Sequence, residues 1–298
     1  MKTKAFAWLS STVVLAGILA GCGINSGVGI NGDATVSKTA KIFADGNGVA
    51  RRFGYKFVGG HLGMPGIGLP NRAVLPAMAD LRTSGKVSPV YDQGQLGACT
   101  AFAMGKGLRE TLTNISGKPS QSLSAMYVYY KERERMGTIN EDSGAMMVDG
   151  MEVLKANGAA LDSTMPYNVA KFKEAPSAKA EAEAAGFKIE DFTLLNGLDQ
   201  LKAELAKGNP AVFGYTVYKS FMSPTVAKTG MMPMPKPGEQ ILGGHAVFIV
   251  GYDDAKQVLI IKNSWGGGWG DKGYFYMPYA YVTADKVDEI YVAKASNR

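Results

Sequence analysis

Few residues of this chain are able to do covalent chemistry. Its 298 residues include two cysteines, Cys22 and Cys99, and two histidines, His61 and His245. Cys99 lies in the run VYDQGQLGACTAF, residues 90–102, and an apolar pattern of helical spacing begins there. A thiolate at a helix N-terminus meets free N–H groups and the positive end of the dipole, which lower a thiol pKa. His245 lies in GGHAVFIVGY, residues 243–252, directly after two glycines that let other backbone come close. Asn263 lies in IIKNSWGGGW, residues 260–269, where a strand pattern ends. A thiol nucleophile needs a base, and the base needs a third group to hold its tautomer and orientation. Cys99, His245 and Asn263 supply those three roles. A developing oxyanion needs donors, and the Cys99 N–H together with the side-chain amide of Gln93 answers that need. No C-x-x-C pair is present, and a zinc site of thiolates and imidazoles would consume all four Cys and His residues. No metal and no cofactor is expected.

These residues are far apart in sequence, so the fold must gather them. Helical periodicity is read over 99–113, 122–136, 146–156, 178–186 and 198–207. The last third changes period, with strands read at 211–218, 245–252, 257–262, 273–277 and 290–293. Helices first and strands later predict an α+β fold of two segregated subdomains, helical over about 90–200 and strand-rich over about 205–298, with the site in the cleft between them. Residues 220–243, rich in proline and glycine, read as a long irregular connection. Upstream, Phe53, Tyr55 and Phe57 alternate with Gly54 and Lys56, a period of two that predicts one short strand. From Gly59 many glycines and prolines predict irregular structure, and His61 there reads as a surface or packing residue.

Taken together the motifs resemble the papain-like cysteine peptidase family. Gln93-Gly94-Gln95-Leu96-Gly97-Ala98-Cys99 resembles the family's oxyanion glutamine and nucleophile, Gly244-His245-Ala246-Val247 its histidine strand, and Asn263-Ser264-Trp265-Gly266 with Trp269-Gly270 its asparagine motif. The family's histidine and asparagine follow the cysteine by roughly 130 to 150 residues, and here they follow by 146 and 164. The resemblance covers about Leu75 to the C-terminus. It implies a two-subdomain fold with a central helix starting at the nucleophile and a barrel-like strand-rich part. It also implies cysteine-type endopeptidase activity through a Cys-His-Asn triad and a thioester, with a polypeptide as substrate. Asp142-Ser143-Gly144 resembles the loop that pairs with substrate backbone, although a helix cap before Ala145 is an equal local reading. Ser143, Gly144, Gly244 and Trp265 are thereby candidate substrate-binding residues, with Trp265 shielding the His245–Asn263 contact. Gly243 and Gly244 leave an open S2 wall, so specificity would fall to 220–242 or to the surroundings of Tyr279 and Tyr281. Thr100 departs from the family's aromatic residue after the nucleophile, and Leu96 stands where a disulfide cysteine is common. A catalytically silent peptide-binding lipoprotein and an acyl-transfer or peptidoglycan-amide enzyme are the alternatives. The roughly 50 residues between Cys22 and the start of the resemblance are too few for a long helical propeptide and lack a helical pattern, so any latency would come from 51–74 occupying the cleft.

The N-terminus reads as a signal segment, residues 1–21, with Lys2 and Lys4 before an apolar run. Leu19-Ala20-Gly21-Cys22 resembles the cleavage and lipidation box of bacterial lipoproteins, which makes Cys22 a lipid anchor. Residues 22–50, dominated up to Gly48 by Gly, Ser, Asn and Asp, form a flexible tether. The peptidase domain then spans 75–298. Loss of Lys2 and Lys4 takes the net charge from +6 to +4. No basic stripe with interleaved aromatics is present, so nucleic acid is not an expected partner. The expectation is a monomer in the bacterial cell envelope, on the exported side and in the outer membrane of a diderm.

Overall fold

A computed structural model describes residues 42–57, 74–284 and 286–295. The signal segment, Cys22, most of the tether and His61 lie outside the described residues.

The chain begins with a hairpin, β1 (Ile42–Ala44) against β2 (Ala50–Arg52), and continues extended to Phe57. The aromatic alternation at 53–57 is extended chain with two isolated bridges at Tyr55, to Ala145 and to Gly244, while the strand lies just upstream. After β3 (Met78–Asp80), a continuous helix runs over 99–115. It consists of α1 (Cys99–Ala101), a π-helical stretch (Phe102–Arg109) and α2 (Glu110–Ile115). Leu108 and Leu112 keep its apolar side in the core, and Gly105 and Gly107 bring Val128 and Phe248 against its backbone. Helices α3 (Ala125–Arg135), α4 (Met147–Ala156) and α5 (Ala178–Ala184) complete the helical part. The Ser124 hydroxyl caps α3 by accepting from the Tyr127 N–H.

The remaining elements are β4 (Ile189–Leu195), α6 (Gly197–Ala206), β5 (Ala211–Tyr218), α7 (Pro224–Thr229), β6 (Ile241–Asp253), β7 (Val258–Lys262), β8 (Tyr274–Pro278), α8 (Tyr279–Thr283) and β9 (Val287–Ala295). They form an antiparallel sheet in the order β4-β9-β5-β6-β7-β8, with β3 on β6 beyond the end of β5. The expectation of a barrel-like right part is therefore corrected. The sheet is open: among the described strands β4 and β8 each pair with one other strand, and the far side of β8 meets isolated bridges, such as that from Met231 to Tyr276, rather than a strand. Closure requires strand pairing all the way round. Here Leu201 and Leu205 of α6, with Tyr281 and Val282 of α8, cover the outer face, so burial does not require the end strands to meet. Strand β4 also falls within the span read as helical. Its polar, mostly exposed residues hide the period of two.

Alternation along β6 divides the molecule into two cores. Ala246, Phe248 and Val250 point into the helical core, whereas Val247 and Ile249 point into the second core beneath α6. No helix among the described residues is long and apolar enough to cross a membrane.

Candidate active site

Cys99 is fully buried in the first turn of the central helix. Beside it, β6 presents alternate residues to opposite sides. Ala246 turns its N–H toward the thiol, while His245 lies on the aromatic side with Trp265 and Phe53. His245 Nε2 is 2.8 Å from Asn263 Oδ1, which also accepts from the Ser264 N–H at 2.9 Å. An oxygen that accepts a backbone N–H cannot be the amide nitrogen, so Nε2 is the donor and carries the ring proton. Nδ1 is then unprotonated, and it is buried without a hydrogen-bond partner among the described residues. Trp265 covers this contact, its ring 5.2 Å from that of His245.

Gln93 is held from several directions. Its N–H donates to Ser264 O, its carbonyl accepts from the Tyr167 hydroxyl, and its Oε1 accepts from Ser264 Oγ at 2.6 Å. That leaves Nε2 directed at the carbonyls of Leu96 (2.9 Å) and Arg52 (3.4 Å). Thr100 also gains a reason: its hydroxyl donates to the fully buried carboxylate of Glu132 at 2.8 Å.

The cleft is filled by the chain's own residues 50–57, here called the strap. The Tyr55 N–H donates to Gly244 O, the Lys56 N–H to Ala145 O, and the Ala145 N–H to Gly54 O at 2.7 Å. Gly144, at φ +69°, leaves the room this requires, since a Cβ there would lie 1.9 Å from Gly54 O. Loop 142–145 does pair with extended backbone, but the pairing groups belong to Ala145. Ser143 Oγ serves the loop itself, 2.8 Å from Thr138 Oγ1. Neither Asp142 nor Ser143 caps α4, whose N-cap residue is Met146. Asp142 instead accepts from the Gly97 N–H, the Tyr129 hydroxyl and Arg52.

Three side chains pin the strap. Arg51 is buried against Asp45, Asp92 and the Trp265 carbonyl. Arg52 pairs with Asp142. Tyr55 fills a hole that exists because Gly214 and Gly244 lack side chains, and its hydroxyl donates to Asp288 Oδ2 at 2.6 Å. In this form the Tyr55 ring lies against Gly244, where an open wall was expected. The groups lining it come from Gly214 and Asp288, whereas the Tyr279 hydroxyl is bound to Asp254 and that of Tyr281 to Thr216 O. Asp288 follows no motif, and only the sheet brings it here.

Covering the site inverts its electrostatics. Burial pushes the Cys99 thiol up to about 11, against the opposing pull of the Ala246, Gly54 and Thr100 N–H groups. Burial pulls His245 down to about 4, opposed by the Asn263 hydrogen bond and assisted by the Arg51 charge. The helix terminus was expected to favour a thiolate, but desolvation prevails in this form. The pair is a neutral thiol and a neutral imidazole. Among the described residues no group of three or more His, Cys, Asp or Glu residues is arranged to hold a metal ion.

Residues 75–292 match the family described as papain family cysteine protease. An uncharacterized peptidase C1-like protein of Acanthamoeba polyphaga mimivirus is 37% identical over 205 residues, which are 66% of this chain and 66% of that protein. The thiol protease aleurain of Arabidopsis thaliana is 32% identical over 212 residues, covering 69% of this chain and 56% of its own length. The match thus spans just under two thirds of the viral protein and little more than half of the plant one. Among solved structures, xylellain, a cysteine protease from Xylella fastidiosa, aligns with a TM-score of 0.72 at 32% identity, covering 88% of this chain and 100% of that one.

Proposed function

Because this chain belongs to the papain family of cysteine proteases, we propose that it is a cysteine endopeptidase held latent by its own strap. The observation that carries the reading is the His245–Asn263 bond, which leaves Nδ1 as the one ring nitrogen able to take a proton. When the strap leaves, water re-enters and favours the charged pair. Cys99 passes its proton to Nδ1, and the thiolate attacks the carbonyl carbon of the bound peptide. The Cys99 N–H and Gln93 Nε2 donate to the oxyanion. On collapse the C–N bond breaks, the imidazolium protonates the departing amine, and a thioester remains. His245 then deprotonates a water that attacks the thioester, and the thiol leaves with its proton. Asn263 keeps the imidazole oriented throughout.

The strap is not a productive substrate. It turns the Gly54 N–H toward the thiol, while the Gly54 carbonyl is tied to the Ala145 N–H. C99A is expected to abolish peptide turnover and labelling by a thiol-directed epoxide, and full activity in that variant would refute the assignment. Peptide binding without turnover in the wild type would favour the silent binding protein instead.

The Leu19-Ala20-Gly21-Cys22 run supports a lipid anchor at Cys22 that tethers the chain to the bacterial cell envelope. Fatty-acid incorporation that is lost in C22A tests this.

A further inference from the structure

The strap also indicates what the cleft selects. Arg52 places its carbonyl beside Gln93 Nε2, the amide assigned to the oxyanion, at 3.4 Å. Its guanidinium reaches sideways to Asp142, with Nη1 2.5 Å from Oδ2. Asp142 is 7% exposed, and its place does not depend on Arg52. Oδ1 accepts from the Tyr129 hydroxyl at 2.5 Å and from the Gly97 N–H at 3.0 Å, two residues before the nucleophile. Tyr129 in turn accepts from the Gly144 N–H, so both cleft loops hold this carboxylate. Oδ2 shares the Gly97 N–H at 3.2 Å and otherwise meets Arg52. Were the strap to leave, a buried carboxylate would lose its direct cationic partner and keep Arg133 nearby, behind the Tyr129 ring.

The space around Arg52 fits a long side chain. A cavity of about 490 Å³ lies beside the Arg52 side chain, which lines it together with Leu96, Glu141, Asp142, Val169 and Phe172. Leu96, Val169 and Phe172 suit an aliphatic stem, and Glu141 adds acidity to the rim. Arg52 lines this space without filling it, and its Nε is buried without a hydrogen-bond partner among the described residues. Because Oδ1 is already engaged, the contact is made at one oxygen, which serves an ammonium as well as a guanidinium.

We propose that Asp142 and this cavity form a subsite for a basic side chain, arginine or lysine, on the substrate residue whose carbonyl is attacked, and that Arg52 occupies it in the latent form. The proposal rests on the peptidase reading above. It identifies a substrate class, namely peptides cut after a basic residue, and makes Asp142 a specificity-determining residue.

The test uses the full chain and fluorogenic peptides that differ only in bearing arginine, lysine, citrulline or leucine at that residue. Citrulline keeps the shape of arginine and removes its charge. Wild type is expected to show kcat/KM at least about tenfold higher for arginine and lysine than for citrulline, the scale of a charge-assisted contact in a shielded site. D142N keeps an acceptor for Gly97 and Tyr129, and is expected to bring the ratio to within about twofold of one. A wild-type ratio near one overturns the proposal whatever D142N does, including failing to fold. A ratio unchanged in a folded D142N also overturns it. Failure of the peptidase reading looks different: no peptide is cut and Cys99 is not labelled by an uncharged epoxide. Subsite preference is then read by fluorescence anisotropy, as binding of the arginine peptide over the citrulline peptide. Equal binding of the two overturns the subsite independently of catalysis.

Discussion

Gly54→Ala should convert the latent form into an open one. Gly54 does not lie at positive φ, so alanine meets no backbone strain there. The obstacle is steric. A Cβ at this position would lie 1.8 Å from Gly97 O, 2.3 Å from its carbonyl carbon and 2.6 Å from its Cα. These are backbone atoms in the loop that leads into the central helix, and they have no rotamer to change. The strap must lift, which breaks the backbone bonds Tyr55 N–H to Gly244 O, Lys56 N–H to Ala145 O and Ala145 N–H to Gly54 O. At about 1 kcal/mol net each, the loss is about 3 kcal/mol. With about 1.4 kcal/mol per tenfold, the closed-to-open ratio falls by about 100-fold. The assay is the second-order rate of Cys99 labelling by an uncharged epoxide, together with the initial rate on a neutral peptide. Both should rise by up to that factor, limited by the rate of the open form. A folded G54A that is labelled and turns over at the wild-type rate would show that the strap does not control access.

Three further outcomes follow from the same geometry. His245 is held near 4 in the closed form, below its ordinary 6.5, and Cys99 near 11, above its ordinary 9.0. In the open form the same two groups form the imidazolium–thiolate pair, so closed and open cleft each hold one proton on the pair and closure takes up or releases no net proton near neutrality. The wild-type to G54A labelling ratio should therefore stay constant within about twofold across neutral pH; a ratio that changes about tenfold per pH unit there would contradict this. Tyr55→Phe removes the hydroxyl bound to Asp288 at 2.6 Å, which at about 1 kcal/mol should speed labelling by about fivefold; no change would free Tyr55 of any role in latency. Asn263→Ala in the G54A background should lower kcat by about tenfold or more with KM little changed, because it releases the imidazole and leaves the cleft intact; a change in KM alone would make Asn263 a binding residue.

Legibility followed the range of the interactions. The helices and most strands could be read because apolar residues recur at a period that each segment carries by itself, as at Leu108 and Leu112 or Val247 and Ile249. Strand β4 was missed because its exposed polar residues mask that period. An open sheet could not be told from a closed one, since closure depends on how β4 and β8 end and on what α6 covers. Cys99, His245, Asn263 and Gln93 stood out because their neighbours have glycine or strand patterns that make a polar residue conspicuous. Asp288 has no such setting, and Asp142, although it opens the Asp142-Ser143-Gly144 run, carries no local sign of its partners; both matter through what is brought against them.

The sequence by itself determined which groups are able to react, the helix that bears the thiol and the strand that bears the imidazole. These depend on residue type and local spacing. Only the tertiary structure decided the state of those groups. A strap placed over the thiol from more than 40 residues upstream removes water from it, and burial then outweighs the helix terminus that favours the thiolate. Solvent exclusion depends on everything packed around a site, so it has no local signature in the chain.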